Sequence, residues 1–187
     1  MTPRTDSRQR FLDAAVDLFH TKGYHATGIN QLVSAGGAPK GSFYFHFPGG
    51  KEQLAAEAVT QSADALRALL TSALESGDID GVFAALGAML TDSDFQRGCP
   101  IATIALDAGG DSEPIRAACA TGFDSWRSAI EEFLRAKGIP DARADQLATV
   151  ALAALEGALL LARTKHDLTP LRAVADHLRT TLEQELS

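Results

Sequence analysis

An all-α fold is predicted for this chain of 187 residues. Apolar residues recur at three- and four-residue spacing along most of its length, and no segment alternates apolar and polar side chains as a half-buried strand would. Glycine and proline clusters cut this pattern into helical lengths, notably at Gly36-Gly37, Pro48-Gly49-Gly50, Gly77-Asp78 and Ala108-Gly109-Gly110-Asp111. No internal repeat of roughly 20–50 residues is present, so the helices do not form a solenoid.

The first helix is expected from near Ser7 to Lys22, where Phe11, Leu12, Ala15, Leu18 and Phe19 share one face. Gly23 is placed to end it, since glycine accepts the left-handed conformation common after a helix. Thr27 is placed to cap a second helix whose Ile29, Leu32 and Val33 face the same small core. Gly36-Gly37 closes that helix and makes the turn. Pro39 suits the first turn of a third helix, where its missing N–H costs little, and Pro48-Gly49-Gly50 stops it. A long fourth helix follows from about Lys51 to Ser76, with Leu54, Ala58, Ala65, Leu66, Leu69 and Ala73 along its inner stripe. Further helices are expected around Asp80 to Leu90 and from about Glu113 to Ala136, the latter closed by Gly138 and Pro140. Asp92 to Pro100 reads as loop.

The last two helices carry longer stripes. Leu147, Val150, Ala151, Ala154, Leu155, Ala158, Leu159 and Ala162 form the first, whose many small side chains let helix backbones approach closely. After a break at Asp167 to Pro170, Leu171, Val174, Ala175, Leu178, Leu182 and Leu186 form the second.

Composition is that of a soluble globular protein, with 45% hydrophobic and 22% charged residues, which argues against a disordered chain. The start, Met1-Thr2-Pro3-Arg4-Thr5-Asp6, runs into an amphipathic pattern without the apolar stretch of a signal peptide. The most apolar later run, Gln146 to Ala162, is interrupted by Glu156 and is shorter than a typical membrane span. The expectation is a cytoplasmic protein with no membrane partner. Its net charge of −7 is unevenly spread. Residues 1–51 hold six Lys/Arg against three Asp, or +3, and the remainder holds 11 basic and 21 acidic residues, or −10. Phosphate attraction depends on local charge within a Debye length, so a basic head on an acidic body remains compatible with nucleic acid. Cys99 and Cys119 form neither a CxxC pair nor a disulfide framework and read as reduced packing thiols.

Residues 27 to 54, TGINQLVSAGGAPKGSFYFHFPGGKEQL, carry most of the functional signal. A short helix, a glycine turn and a second helix rich in aromatics can lay the latter in a DNA major groove. Phe43 and Phe47, four apart, are expected to pack inward on Phe11, Phe19 and Leu32. Lys40, Ser42, Tyr44 and His46 then point elsewhere, with donors that reach base edges or phosphate oxygens, and Gly41 lets the backbone come close. Lys51 and the opening amides of the fourth helix would form a phosphate site through charge and helix dipole. Thr27 can donate to phosphate as well as cap. Taken one at a time, Lys40, Tyr44 and Lys51 also fit a solvated bundle face.

The segment resembles the head of the TetR family of bacterial transcriptional regulators. Such heads carry a threonine before the second helix, a glycine turn, a Lys-Gly-aromatic-Tyr run, an aromatic-Pro pair and Lys-Glu. Thr27, Gly36, Lys40-Gly41-Ser42-Phe43-Tyr44, Phe47-Pro48 and Lys51-Glu52 match in order. The FHFPGGKEQL form, with one glycine beyond the usual spacing, and Gly98-Cys99-Pro100-Ile101 are similar to the LmrA/YxaF-like branch. The resemblance implies a helix-turn-helix DNA-binding domain over residues 1–50 and a helical effector-binding and dimerisation domain over residues 51–187. It also implies a repressor released from a palindromic double-stranded operator by a small, largely apolar effector.

A head this small reads few base pairs, so specificity calls for two heads on a symmetric site. Leu147, Ala151, Ala154, Leu155, Ala158, Leu171, Val174, Leu178 and Leu182 are the candidate homodimer residues, as helices that could form a four-helix bundle across a two-fold axis. Leu155 and Leu178 equally suit the core of one chain. Phe83, Met89, Ile104, Phe123, Trp126 and Glu156 are candidate effector contacts. Glu156, alone in an apolar helix, could meet a polar or cationic group or simply flank the interface. His166 and His177 lack further ligands at close spacing, so neither metal nor cofactor is expected. No Ser-His-Asp order, paired-carboxylate motif or phosphate loop suggests an enzyme. Two other functions stay open at this point: a helical small-molecule-binding protein whose head is only structural, and a thiol-based redox sensor.

Overall fold

The computed structural model describes residues 4–77 and 79–187, excluding the side chains of residues 4–6. The readings that touch Met1–Asp6 and Asp78, including the charges of Arg4 and Asp6, therefore fall outside the described residues in whole or part. Among the described residues nine helices and no strand are present: α1 Arg4–Lys22, α2 Ile29–Gly36, α3 Lys40–His46, α4 Gly50–Glu75, α5 Ile79–Asp92, α6 Pro100–Ala108, α7 Glu113–Ala136, α8 Asp141–Lys165 and α9 Thr169–Glu185. The chain divides into two compact units, Met1–Asp64 with Pro100–Gly122, and Ala65–Cys99 with Phe123–Ser187.

In the first unit, α1 buries Phe11, Leu12, Ala15 and Phe19, as its periodicity predicts. Leu32 of α2 and Phe43 of α3 are fully buried with them, and Phe47 completes an aromatic cluster. Phe11 meets Phe43 edge-on at 5.5 Å and Phe47 edge-on at 6.3 Å, the arrangement that ring quadrupoles favour. The α2–α3 turn depends on Gly37, which adopts φ +60°, and on Gly36, where an added Cβ would lie 2.4 Å from Phe11 Cδ1. Leu54, Ala55, Ala58 and Val59 of α4 and Ile101, Ile104 and Ile115 further along the chain extend this core.

The second unit buries Leu134, Ile139, Ala144 and Ala148 as a cluster, with Ile130, Phe133, Leu147 and Leu182 packed against it. Trp126 is fully buried and stands edge-on to Phe123 at 5.6 Å. His166 caps the C-terminus of α8 in the left-handed conformation, with its N–H directed at the Ala162 and Arg163 carbonyls.

Several local expectations are revised. Helix α2 is capped by Gly28, with Gln31 Oε1 accepting the Gly28 N–H at 2.8 Å, so Thr27 is not the cap. Pro39 is the N-cap of α3 rather than its first turn, and its carbonyl accepts the N–H groups of Ser42 and Phe43. Beyond Val59 the buried side of α4 follows Ala63, Leu70 and Leu74, while Ala65 and Leu69 are exposed. Alanine and leucine occur on both sides of that helix, so spacing alone does not choose its face. Helix α6, Pro100–Ala108, has no counterpart among the expected helices, because its apolar residues run on without polar breaks that would mark one face.

Candidate nucleic-acid interface

Helix α3 presents three faces. Phe43 and Phe47, one turn apart, fill the core. Ser42 and His46, also one turn apart, are half-buried against α1: Ser42 Oγ donates to Ser7 Oγ at 3.4 Å, and the same Ser7 hydroxyl lies 2.9 Å from His46 Nε2. The remaining face, Lys40, Gly41, Tyr44 and Phe45, is exposed. Of the predicted contacts on α3, Lys40, Gly41 and Tyr44 therefore share an outward surface, whereas Ser42 and His46 are half-buried and share Ser7 as a hydrogen-bond partner. A Cβ added at Gly41 would meet nothing within 4 Å, so this position leaves an open notch.

Thr27 is fully buried. Its hydroxyl donates to the Gly23 carbonyl at 2.8 Å and its N–H to the Tyr24 carbonyl at 3.2 Å. The buried hydroxyl satisfies an inward carbonyl, so Thr27 locks the α1–α2 turn instead of offering a surface donor, which corrects the phosphate role expected for it. Lys51 stands near the start of α4 with its ammonium 4.0 Å from the Tyr24 ring centroid, a cation–π contact. Burial lowers its pKa, against the opposing pull of the Asp107 carboxylate. Gln53 Oε1 accepts the Gly49 N–H at 2.9 Å just ahead of the helix.

The same unit is tied together by groups far apart in sequence. Asp107 of α6 accepts the His25 N–H at 2.9 Å, Asp111 lies 3.6 Å from His25 Nε2, and Ser112 Oγ donates to Glu52 at 2.6 Å. Arg8 pairs with Glu57, and Arg10 donates to the Gly37 carbonyl at 3.1 Å. Part of the basic charge counted in the head is thus spent on internal contacts, while Lys22 and Lys40 remain exposed.

The second unit holds an apolar cavity of about 100 Å³, lined among others by Phe83, Leu147, Ala151, Leu155, Leu178 and Leu182. Thr181 supplies a hydroxyl to its wall, donated to the His177 carbonyl at 2.9 Å. Of the predicted effector contacts, Phe83 lines this cavity. Met89 and Phe123 are half-buried, Trp126 is fully buried, and Ile104 is buried in the first unit. Glu156 is half-buried; burial raises its pKa, and a hydrogen bond from the Cys99 thiol opposes that rise.

The predicted dimer residues also divide. Leu155, Ala158 and Leu171 are buried by their own chain, and Leu147, Ala151, Leu178 and Leu182 are half-buried and line the apolar cavity. Ala154 and Val174 are half-buried. The outward side of α8 is a different stripe: Val150, Leu160 and Leu161 are 54%, 60% and 49% exposed, in helical register with exposed Ala153 and Gly157. Only 28% of the most apolar stretch of α8 is buried.

Two family descriptions match the sequence. "Bacterial regulatory proteins, tetR family" covers residues 11–58, and "Transcriptional regulator LmrA/YxaF-like, C-terminal domain" covers residues 73–177. The HTH-type transcriptional regulator LmrA of Bacillus subtilis is 37% identical over 184 residues, which span 96% of this chain and 98% of that protein. The chain belongs to the TetR family. The HTH-type transcriptional repressor DhaR of a Mycobacterium species is 26% identical over 179 residues, 90% of this chain and 88% of its own. The crystal structure of a TetR transcriptional regulator from Chloroflexus aurantiacus superposes with a TM-score of 0.79 at 31% identity, covering 98% of both chains.

The TetR-family assignment identifies α2 and α3 as a DNA-binding helix-turn-helix and the protein as a transcriptional regulator. Phe45 is a further exposed residue of α3. Its ring carries no polar group to mark it in the sequence, but spacing finds it: Phe45 lies one turn after Gly41 and two residues from each inward phenylalanine, which puts it on the exposed face.

Proposed function

We propose that this TetR-family protein is a cytoplasmic, homodimeric repressor that holds a palindromic operator and leaves it when a small, largely apolar effector binds. The observation that carries the reading is the outward face of α3, where Lys40, Gly41 and Tyr44 stand clear of the core. Lys40 and Tyr44 supply donors for phosphates or base edges, and Gly41 admits close approach. Ser42 and His46 hold the helix at the right rotation, and Thr27 holds the turn before it. Lys51 reaches a phosphate by leaving the Tyr24 ring, exchanging a contact worth about 0.5–1 kcal/mol for a charge-assisted one.

Residues 1–50 are assigned as the helix-turn-helix DNA-binding domain and residues 51–187 as the effector-binding and dimerisation domain, with Lys51 at their boundary adding its phosphate contact. The exposed apolar stripe of α8, joined by Ala154 and by Val174 of α9, pairs with the same stripe of a second copy, since a two-fold axis makes one patch self-complementary. Gly157 at its centre, where a Cβ would meet nothing within 4 Å, permits close backbone approach. Phe83 and the hydrocarbon walls of the adjoining cavity favour an uncharged effector; Met89, Ile104, Phe123, Trp126 and Glu156 remain assigned to effector response. Binding there shifts the population toward a head spacing that no longer fits successive major grooves. Repression agrees with the name of the DhaR relative. A thiol-based sensor is disfavoured by chemistry: burial pushes the Cys119 thiol up to about 11, far from the thiolate that oxidation needs.

The test is a gel-shift titration on the DNA upstream of the protein's own gene. A specific complex on a palindrome is expected, weakening steeply as salt rises. Lys40→Ala and Tyr44→Phe should each weaken it about tenfold, in line with loss of one contact worth roughly 1–3 kcal/mol. Absence of a specific complex at every salt concentration would sink the reading.

A further inference from the structure

We infer that Phe45 reads the 5-methyl group of a thymine, fixing an A·T pair at one position in each half-site. The inference rests on α3 lying in the major groove, as proposed above.

Phe45 is 63% exposed, more than Tyr44 at 43%. Its side chain has no donor or acceptor, so it can neither hold a phosphate nor read a polar base edge. The major groove offers acceptors, amino donors and a single apolar feature, the thymine methyl. An apolar ring on the groove-facing side of the helix complements that feature alone.

The ring is also placed for the task. Gly41, one turn earlier on the same face, puts no side chain beside the ring, and a Cβ there would meet nothing within 4 Å. His46 meets the Phe45 ring edge-on at 5.2 Å, and His46 is itself held by Ser7 Oγ at 2.9 Å. Helix α1 thus orients the ring through two contacts before DNA arrives. Lys40 and Tyr44, the neighbouring pair one turn apart, supply the polar contacts that Phe45 lacks.

The experiment begins with a duplex selected by the full-length protein from a randomised pool. Each thymine is then replaced in turn by deoxyuridine, which pairs identically but lacks the methyl. Wild type should lose about fourfold affinity per half-site at one symmetric position, the worth of burying one methyl-sized group, and about fifteenfold when both half-sites are changed. Phe45→Ala should bind the thymine and uracil duplexes equally, while Phe45→Leu should keep part of the discrimination. An unchanged thermal melt of both variants verifies the fold.

Wild-type indifference to every uracil would overturn the inference, as would full discrimination in Phe45→Ala. A uniform loss of affinity in Phe45→Ala with an unchanged thymine-to-uracil ratio would assign the ring to the sugar instead. Tight binding without methyl dependence removes this inference alone, whereas failure to recover any duplex removes the regulator reading with it.

Discussion

At Gly36 the backbone of α2 passes so close to the Phe11 ring that one more carbon has no room. Gly36→Ala should cost about 1–3 kcal/mol through overpacking, seen in a thermal melt as a drop of about 2–4 °C per kcal/mol. An unchanged melt would mean that the Phe11 ring yields more easily than its full burial suggests. Glu156 makes the opposite case. Its folded pKa is raised, chiefly by burial, so the folded state binds the proton more tightly than the unfolded one. That contribution is fully present below the ordinary carboxylate value and is lost as pH rises through the folded value. Glu156→Gln should therefore raise the melting temperature at neutral pH and lose that advantage in acid; equal melting at both pH values would exclude a buried carboxylate. Some residue roles were legible in advance, as the spacing of Phe43 and Phe47 puts both in the core. Thr27 was not, because a hydroxyl before a helix can turn to the next turn's amides or back to an earlier carbonyl. The choice here belongs to Gly23, whose position in space no local pattern encodes.

Glycine and proline made most helix boundaries readable, from Gly37 after α2 to Gly138 after α7. The faces of the alanine- and leucine-rich helices were harder. A helix that is apolar all round has no single stripe, and α8 is of this kind: Leu155 faces the chain's own interior while Leu160 faces out. The two sides make separable predictions. Leu160→Glu should convert a dimer to a folded monomer, with an unaltered circular dichroism spectrum and half the mass by light scattering. Leu155→Glu should instead unfold the second unit, since a carboxylate is placed among hydrocarbon without a partner. A Leu160→Glu protein that stays dimeric would reassign the interface away from α8.

For the molecule as a whole, the buried thiols and the exposed reading face predict a regulator that answers to ligands and salt rather than to oxidants. A Cys99→Ser, Cys119→Ser double variant should hold its operator as tightly as wild type, with and without peroxide; a peroxide response present only in wild type would restore a redox role. The ties at Asp107 and Ser112 bear on how such a protein can be re-engineered. A chimera that joins one protein's reader to another's sensor at a single cut requires the reader to be one continuous stretch. Here residues 100–122 belong to the same compact unit as residues 1–64, and they supply the acceptor for the His25 amide and the hydroxyl on Glu52. A transplant cut after α3 would carry the reading residues but leave behind part of their scaffold. A faithful exchange has to move both stretches together.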